Sequence, residues 1–291
     1  MTFLPRTDDA PRAPEPPAPL AAPVVDTHTH LDTHDDRLHG EQRPDADSLL
    51  AAAAAVEVTR IVQIGCDVEA ARWSVHMAQS RPEVIVGVAL HPNDAARTVA
   101  RDGRPALEAA WREIAYLAAD PVVRAVGETG LDYYRTRGDG RDIQHESFRW
   151  HIGLAKELEK VLVIHDRDAH ADVLAVLEDE GAPERVIFHC FSGDAAMAAH
   201  CAERGWYLSF AGVVTYSSAG GLRDALRVVP DDLVLVETDA PYLTPVPHRG
   251  RPNASYLMPW TVRAMARERG VSEVAMCGTL WDNAQRVFGA W

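Results

Sequence analysis

The stretch Val24–Asp32 reads VVDTHTHLD, an apolar start followed by two histidines that are separated by one threonine. Its opening is typical of a buried β-strand. In an extended strand the side chains of residues i and i+2 project to the same side, so His28 and His30 can hold one metal ion. A pair of hydrogen-bonded core histidines is the alternative for this motif taken alone. The residues at the ends of the other strands decide between the two.

The alternation of short β-branched runs with amphipathic or alanine-rich stretches predicts parallel strands separated by helices. The predicted strands cover residues 24–27, 60–64, 84–89, 122–127, 161–164, 185–188, 206–210 and 233–237, and two further helices over 259–269 and 272–287 follow the last strand. Eight such units indicate an α/β fold, the TIM (β/α)8 barrel. A doubly wound open sheet is the competitor, but no Gly-rich phosphate turn follows the first strand.

Residues 1–23 differ in composition from the rest of the chain. They contain seven of the 19 prolines and no sustained apolar pattern. This predicts a disordered Pro/Ala-rich tail whose removal leaves the fold intact. No linker is apparent after Val24, so residues 24–291 are expected to form one barrel domain.

The charge and hydropathy of the chain exclude several classes of protein. With 29 basic and 43 acidic residues the net charge is −14, which argues against a broad electropositive surface for nucleic acid. A divalent metal centre could offset the repulsion of a polyanion locally.

The longest apolar run, Leu49–Val56, is too short to span a bilayer. Four cysteines without CxxC spacing, and no secretory signal, predict reduced thiols in the cytoplasm.

The ends of the other predicted strands carry further residues that can bind metals. These are Glu128 after the fourth strand, His165 after the fifth, His189 after the sixth and Asp239 after the eighth. In a barrel all these ends lie at one face, where barrel enzymes place their active sites. Each histidine taken singly fits a packing role, but a buried carboxylate without a cation is costly. The whole set indicates a metal site.

Four imidazoles and two carboxylates are too many ligands for one tetrahedral ion, which favours a two-metal centre. Imidazole and carboxylate ligands suit Zn²⁺, Mn²⁺, Fe²⁺ or Ni²⁺, whereas carboxylate and water suit Mg²⁺. Two adjacent ions can lower the pKa of a bound water and clamp a displacement at phosphorus. The same pair could activate water against an amide or lactone carbonyl.

These motifs resemble those of the TatD family of metal-dependent hydrolases, TIM-barrel deoxyribonucleases of the wider amidohydrolase-like group. The resemblance extends from about Val24 to the C-terminus. The matching stretches are Asp26–Asp32 (DTHTHLD), Leu90–Pro92 (LHP), Gly127–Tyr134 (GETGLDYY), Ile164–Asp168 (IHDRD), His189–Gly193 (HCFSG), Glu237–Pro245 (ETDAPYLTP), Arg249–Asn253 (RGRPN) and NAQRVF over 283–288. The chain departs from the family at His151, where glutamine is common, and at Asn253-Ala254-Ser255, where the loop often reads Asn-Glu-Pro.

The resemblance implies a role for each candidate metal ligand. Asp239 would bind the first metal and would also position or deprotonate the attacking water. The other implied ligands are His28 and His30 on the first metal, Glu128 as a bridge, and His165 and His189 on the second metal.

Three more residues are candidates for substrate binding. His91 resembles the family residue near the substrate phosphate and is expected to act in catalysis with Glu128 and Asp239. Arg249, in the loop after the eighth strand, could reach phosphate or remain a solvated loop arginine. Tyr133 could stack on a base or simply form the wall of the pocket.

The resulting hypothesis is a divalent-metal-dependent phosphodiesterase that uses a two-metal-activated water. The resemblance implies a deoxyribonuclease, a 3′–5′ exonuclease acting on DNA strand ends, expected to be single-stranded, with Mg²⁺, Mn²⁺ or Zn²⁺ as cofactor. No membrane and no obligate protein partner are expected. The alternatives are an amidohydrolase acting on a C–N or lactone bond of a small metabolite, and a non-catalytic barrel scaffold.

Overall fold

Eight parallel strands pair side by side in the order in which they occur in the chain. The structure, a computed structural model, describes residues 13–33 and 44–291. The strands are β1 (Val24–Thr29), β2 (Val58–Gly65), β3 (Val84–Val88), β4 (Val123–Asp132), β5 (Val161–Arg167), β6 (Val186–Phe188), β7 (Tyr207–Phe210) and β8 (Val234–Val236). Nearly all of their residues are buried, as in parallel sheets that are covered by helices.

The first and last strands approach each other and nearly close the sheet into a barrel. The hydroxyl of Thr27 in β1 donates to the carbonyl oxygen of Val236 in β8 at 2.8 Å. Beyond β8, the amide of Asp239 donates to the His28 carbonyl at 2.9 Å, and the amide of His30 donates to the Ala240 carbonyl at 2.9 Å. The predicted TIM barrel is therefore confirmed, and the carboxyl ends of all eight strands lie at one face.

Helices follow the strands and cover the outside of the barrel. Within the described residues they are α1 (Ala46–Ala54), α2 (Val68–Ala78), α3 (Pro92–Asp102), α4 (Arg104–Ala118), α5 (Gly140–Glu157), α6 (His170–Glu180), α7 (Ala195–Glu203), α8 (Gly220–Val228), α9 (Met258–Arg269) and α10 (Glu273–Phe288). None of the helices in the described part of the chain is long and apolar enough to cross a membrane.

Helix α3 has no clear signal in the sequence pattern. Most of its residues are polar or alanine, so it carries no clear apolar periodicity. Pro92 occupies its first turn, where the missing amide hydrogen does no harm. The side chain of His91 accepts the amide hydrogen of Asn93 and caps the helix. Helix α3 therefore begins at the rim of the barrel, directly after a candidate site residue.

The segment 13–23, which composition predicts to be disordered, lies against the barrel instead. Leu20 is only 4% exposed and belongs to the hydrophobic core. The amide of Ala21 donates to Glu273 Oε1 at 2.9 Å, and the Arg263 guanidinium donates to the carbonyl oxygens of Ala18 and Pro19 at 2.9 Å each. The proline-rich backbone leaves carbonyl acceptors free for such contacts. Residues 1–12 of the predicted tail lie outside the described residues.

Candidate metal centre

A cavity of about 730 Å³ opens at the carboxyl ends of the strands. Five of the six candidate metal ligands line it: His30, Glu128, His165, His189 and Asp239. The sixth, His28, is fully buried beneath them, with its ring stacked on that of His189 at 3.8 Å between centroids. The structure thus brings together all six residues, although they are spread over more than 200 positions of the chain.

The carboxylate of Glu128 lies at the centre of this group. Its Oε1 is 3.6 Å from His28 Nε2 and 3.6 Å from His30 Nε2. Its Oε2 is 2.9 Å from His165 Nδ1 and 2.9 Å from His189 Nε2. Each oxygen therefore faces one pair of imidazoles, which is the arrangement that a carboxylate between two cations requires.

Asp239 lies beside the first pair of imidazoles. Its Oδ1 is 3.4 Å from His30 Nε2 and 3.9 Å from His28 Nε2. The backbone of Asp239 has φ 52°, a left-handed conformation that is uncommon for residues other than glycine. The hydrogen bond from its amide to the His28 carbonyl fixes the residue in this conformation beside β1.

Acceptors behind the imidazoles fix which ring nitrogen faces the cavity. Glu237 Oε1 accepts from His189 Nδ1 at 3.1 Å, so Nε2 is directed at Glu128. The Ile64 carbonyl lies 3.2 Å from His30 Nδ1, which leaves Nε2 for the site. Asp132 Oδ2 is 3.3 Å from His165 Nε2, an ion-pair distance without hydrogen-bond alignment, while Nδ1 faces Glu128. Metal-binding histidines commonly have such outer partners.

A further buried carboxylate joins the two strands at the seam of the barrel. Asp26 accepts the amide hydrogen of Thr238 at 2.9 Å and its hydroxyl hydrogen at 2.5 Å. Burial raises the pKa of Asp26 to about 7, and the hydrogen bonds from Thr238 oppose that rise. The sequence patterns assigned no role to Asp26, Asp132 or Glu237. Asp26 could have been found from the sequence, because residues 26, 28 and 30 alternate along one strand and their side chains project to the same side.

The electrostatics of the cluster fit a cation. Both ring nitrogens of His28 are buried without a hydrogen-bond partner, and burial followed by repulsion from His189 lowers the pKa of His28 to about 4. Burial opposes the ionisation of Glu128, but the imidazole of His189 holds its pKa well below the usual range. Burial also disfavours a charged His30, yet Asp239 and Glu128 raise its pKa to about 9. Imidazole nitrogens and carboxylate oxygens at these spacings are a donor set for divalent metals.

His91 faces the same cavity but differs from the ligand set in its hydrogen bonding. Its Nδ1 accepts the amide hydrogen of Asn93 at 3.1 Å. Burial, followed by repulsion from His165, lowers the pKa of His91 to about 3, so the ring is neutral and carries its proton on Nε2. His91 Nε2 lies 4.0 Å from Glu128 Oε2. Although donor atoms of His91, Asp132 and His165 lie within 4.8 Å of one another, this tautomer makes His91 a hydrogen-bond donor rather than a metal ligand.

Two residues predicted for substrate binding do not line the cavity. The Tyr133 hydroxyl lies 2.6 Å from His145 Nε2 and also donates to Asp172, so it is directed at α5 and α6. The guanidinium of Arg249 is stacked on the ring of Tyr216, 4.3 Å from its centroid.

Three arginines line the cavity that the sequence patterns did not single out: Arg97, Arg135 and Arg167. Their positions at or soon after strand ends were the only available signal.

The cavity also contains a thiol that the motifs did not single out. Cys66, directly after β2, donates from Sγ to Glu128 Oε1 at 3.2 Å. Burial, together with the negative charge of Glu128, raises the pKa of Cys66 well above its usual range. A protonated thiol is a poor nucleophile, which argues against a covalent intermediate on Cys66.

Comparisons with known proteins match the whole barrel. The profile of the family described as TatD related DNase matches residues 25–289. A Mycobacterium tuberculosis H37Rv relative, named uncharacterized metal-dependent hydrolase TatD, is 47% identical over 275 residues, covering 91% of this chain and 98% of the relative. The Escherichia coli K12 relative named uncharacterized metal-dependent hydrolase YcfH is 37% identical over 270 residues, covering 91% and 95%.

Solved structures show the same fold at lower sequence identity. The structure of YjjV, a TatD homolog from Escherichia coli K12, superimposes with a TM-score of 0.80 at 22% identity and covers 92% of this chain and 98% of its own. A mutant organophosphorus hydrolase superimposes with a TM-score of 0.60 at 14% identity and covers 96% and 99%. The barrel architecture is therefore shared well beyond the nearer relatives.

Proposed function

The chain belongs to the family of TatD related DNases, and from this membership we propose that it is a metal-dependent hydrolase of phosphodiester bonds. In this proposal the enzyme removes nucleotides from the 3′ end of a single DNA strand. The observation that carries the metal chemistry is the position of Glu128, whose two carboxylate oxygens face two different pairs of imidazoles.

Each side of Glu128 offers the ligands for one divalent cation. The first would be held by His28, His30 and Asp239 together with Glu128, and the second by His165 and His189 together with Glu128. When bound, Mg²⁺, Mn²⁺ or Zn²⁺ ions at these positions would lower the pKa of a bound water. They would also neutralise negative charge on the phosphoryl oxygens. Glu237 orients the His189 imidazole toward the second position through its hydrogen bond, and Asp132 lies beside the His165 imidazole.

The residues of the chain then have separate tasks in hydrolysis. Asp239 lines the cavity beside the first pair of imidazoles, so its carboxylate orients the attacking water and accepts a proton from it. The Nε2–H of His91 donates to a non-bridging phosphoryl oxygen, where negative charge builds up in the transition state. Glu128 keeps the two halves of the site at a constant separation.

The shape and charge of the molecule favour a strand end over a long duplex. The site lies inside a bowl of about 730 Å³ at one end of the barrel. Non-specific duplex binding depends on many cationic contacts to phosphates, and a chain of net charge −14 offers few of them. A single terminal nucleotide needs only the local positive charge of the centre.

An activity panel tests the proposal. Protein dialysed against EDTA and then loaded with Mg²⁺, Mn²⁺ or Zn²⁺ is given single-stranded DNA, duplex DNA, RNA, bis(p-nitrophenyl) phosphate and an amide and a lactone. We expect no hydrolysis in EDTA, recovery with metal, and stepwise shortening of a 5′-labelled single strand from its 3′ end.

Other outcomes of this panel contradict the proposal in distinguishable ways. Turnover of the amide or lactone alone would support the small-metabolite amidohydrolase. Internal cuts would exclude an exonuclease. An empty site after exposure to excess metal would support a non-catalytic scaffold.

A further inference from the structure

Two arginines at the cavity rim are anchored to the backbone right beside the candidate metal centre. Arg167 is the last residue of β5 and pairs in register with Asp132 of β4. The amide of Arg135 donates to Asp132 Oδ1 at 2.8 Å. The other oxygen of that carboxylate lies 3.3 Å from His165 Nε2. One residue thus positions both arginine backbones and faces a candidate metal ligand.

Neither of these two arginines is held in an ion pair within the described part of the chain. Neither guanidinium forms an ion pair with a carboxylate among residues 13–33 and 44–291. By contrast Arg97, which also lines the cavity, is paired with Asp94 at 2.5 Å. Two unpaired cations at the mouth of a site, in a chain of net charge −14, indicate an anionic ligand there.

The opposite side of the same cavity is acidic. Asp32 follows β1 and Asp67 follows β2, and both carboxylates line the cavity. Asp32 Oδ1 accepts from Gln63 Nε2 at 2.7 Å, and Asp67 Oδ1 accepts the amide hydrogen of Ala70 at 2.8 Å. These hydrogen bonds hold both carboxyl groups in place.

The β4–β5 side also carries two carboxylates, but Asp132 faces His165 and Asp166 is paired with His170 at 2.7 Å. A phosphate chain that leaves the centre therefore meets two carboxylates on the β1–β2 side and two arginines without an ion pair on the β4–β5 side.

An aromatic surface lies next to the two arginines. Tyr134 is 59% exposed, and the Arg167 guanidinium is stacked over its ring at 4.0 Å from the ring centroid. Bases of single strands stack on such rings and on arginine planes without regard to sequence. We call Tyr134, Arg135 and Arg167 the basic strip.

We infer that the basic strip binds the nucleotide next to the terminal one, an inference that rests on the proposed function. The two guanidinium groups contact the phosphate of that nucleotide, and the Tyr134–Arg167 pair stacks on its base. The substrate class is therefore a polynucleotide single strand with at least one phosphate beyond the scissile one. A small phosphodiester fills only the metal centre.

Binding in the absence of metal tests the strip without any contribution from catalysis. A 5′-fluorescein ten-nucleotide oligo(dT) is titrated in EDTA, at several NaCl concentrations, with wild type, Arg135→Ala/Arg167→Ala and Tyr134→Ala. The control is Arg101→Ala, whose side chain is 79% exposed on α3 and paired with Asp102. We expect the double variant to bind roughly tenfold to a hundredfold more weakly, with a log–log salt slope smaller by about 0.7 for the one phosphate that is no longer neutralised. Tyr134→Ala should bind roughly tenfold more weakly with an unchanged slope, and Arg101→Ala should match wild type.

Kinetics in the presence of metal then distinguish the contribution of the basic strip from that of the metal centre. The double variant should lose less activity on bis(p-nitrophenyl) phosphate than on the oligonucleotide, because this substrate has no phosphate beyond the scissile one. Its kcat/KM on the oligonucleotide should fall with its affinity. The Arg135→Lys/Arg167→Lys variant should keep the wild-type salt slope, since it keeps both charges.

The inference is overturned if the double variant keeps wild-type affinity and slope, or if it loses the same factor on both substrates. A wild type that hydrolyses neither phosphodiester would instead refute the proposed function. In that case the titration in EDTA still decides whether the strip binds the oligonucleotide.

Discussion

At the scale of single residues, Glu128 and His91 face the same cavity and differ in the atoms they present. Glu128 presents two acceptor oxygens, each near a pair of imidazole nitrogens. His91 presents an N–H, because its other nitrogen already accepts the amide hydrogen of Asn93. The two acceptor oxygens of Glu128 suit cations, whereas the N–H of His91 suits a phosphoryl oxygen. Substitutions at the two positions should therefore have separable effects on metal content and on activity.

Glu128→Ala should lose metal and activity together. Without the central carboxylate the two halves of the site share no ligand, and bound cations would repel each other. We expect metal content below half of the wild-type value and a fall in kcat of more than about 1000-fold. Elemental analysis of dialysed protein and single-turnover kinetics measure both. Glu108→Ala, at a half-exposed position on α4, is the control, and a Glu128→Ala protein that retains its metal would exclude the bridging role.

His91→Asn should lose activity while keeping metal and stability. An asparagine side chain can still accept the Asn93 amide hydrogen and cap α3, but it lacks the Nε2–H that points into the cavity. We expect kcat/KM to fall by about 10- to 1000-fold, as for one lost electrostatic or positioning contact. Metal content and melting temperature should match wild type. Loss of metal in this variant would make His91 a ligand.

At the scale of elements, buried side chains hold neighbouring strand ends and helices at fixed positions around the centre. Asp26 ties β1 to the segment after β8 through Thr238. His151 is buried on α5. Its Nε2 accepts the amide hydrogen of Leu90 at 3.1 Å, and its Nδ1 donates to the Ser147 carbonyl at 2.7 Å. Burial lowers the pKa of His151 to about 4, so it stays neutral in this role. Leu90 precedes His91, which links α5 to the position of the donor.

His151→Leu should destabilise the fold because it leaves the Leu90 amide buried without an acceptor. An unsatisfied buried donor costs about 1–3 kcal/mol. Urea unfolding followed by circular dichroism should show that decrease in the free energy of unfolding. His151→Gln retains an acceptor at this position and should recover most of it. Equal stability of the Leu and Gln variants would show that the hydrogen bond to Leu90 contributes little.

At the scale of the whole molecule, the N-terminal segment 13–23 packs on the outside of the barrel, against α9, α10 and the turn before β2. Leu20 enters the core, and its amide donates to the Val56 carbonyl, just before β2 begins, at 3.3 Å. The hydroxyl of Tyr256 donates to the Pro14 carbonyl at 3.0 Å. None of these residues lines the cavity, so the segment acts on stability rather than on chemistry.

Deletion of residues 1–22 should lower the melting temperature, whereas deletion of residues 1–12 should lower it much less. Removing the buried Leu20 side chain alone costs about 2–5 kcal/mol. For a domain of this size that corresponds to several degrees, at about 2–4 °C per kcal/mol. Differential scanning calorimetry of both truncations measures the difference. Identical melting temperatures would support the composition-based prediction of a dispensable tail.

The barrel and the six converging residues follow from local sequence patterns. Apolar runs of four to six residues, separated by amphipathic stretches, specify strands and helices because each element buries its own apolar face. Once the strands are parallel and in chain order, their carboxyl ends must meet at one face. For this reason His28, Glu128 and Asp239 could be grouped without coordinates.

The remaining features depend on contacts between residues that are distant in the chain. Tyr133 bonds to Asp172 on α6, and Arg249 stacks on Tyr216, so neither lines the cavity although both follow strands. The tautomer of His189 is set by Glu237, 48 positions away. The proline-rich segment is ordered by Arg263 and Glu273, residues of α9 and α10. Local periodicity reports which face of an element is apolar, but side-chain direction and hydrogen-bond partner are selected only when the packed elements bring donors and acceptors together.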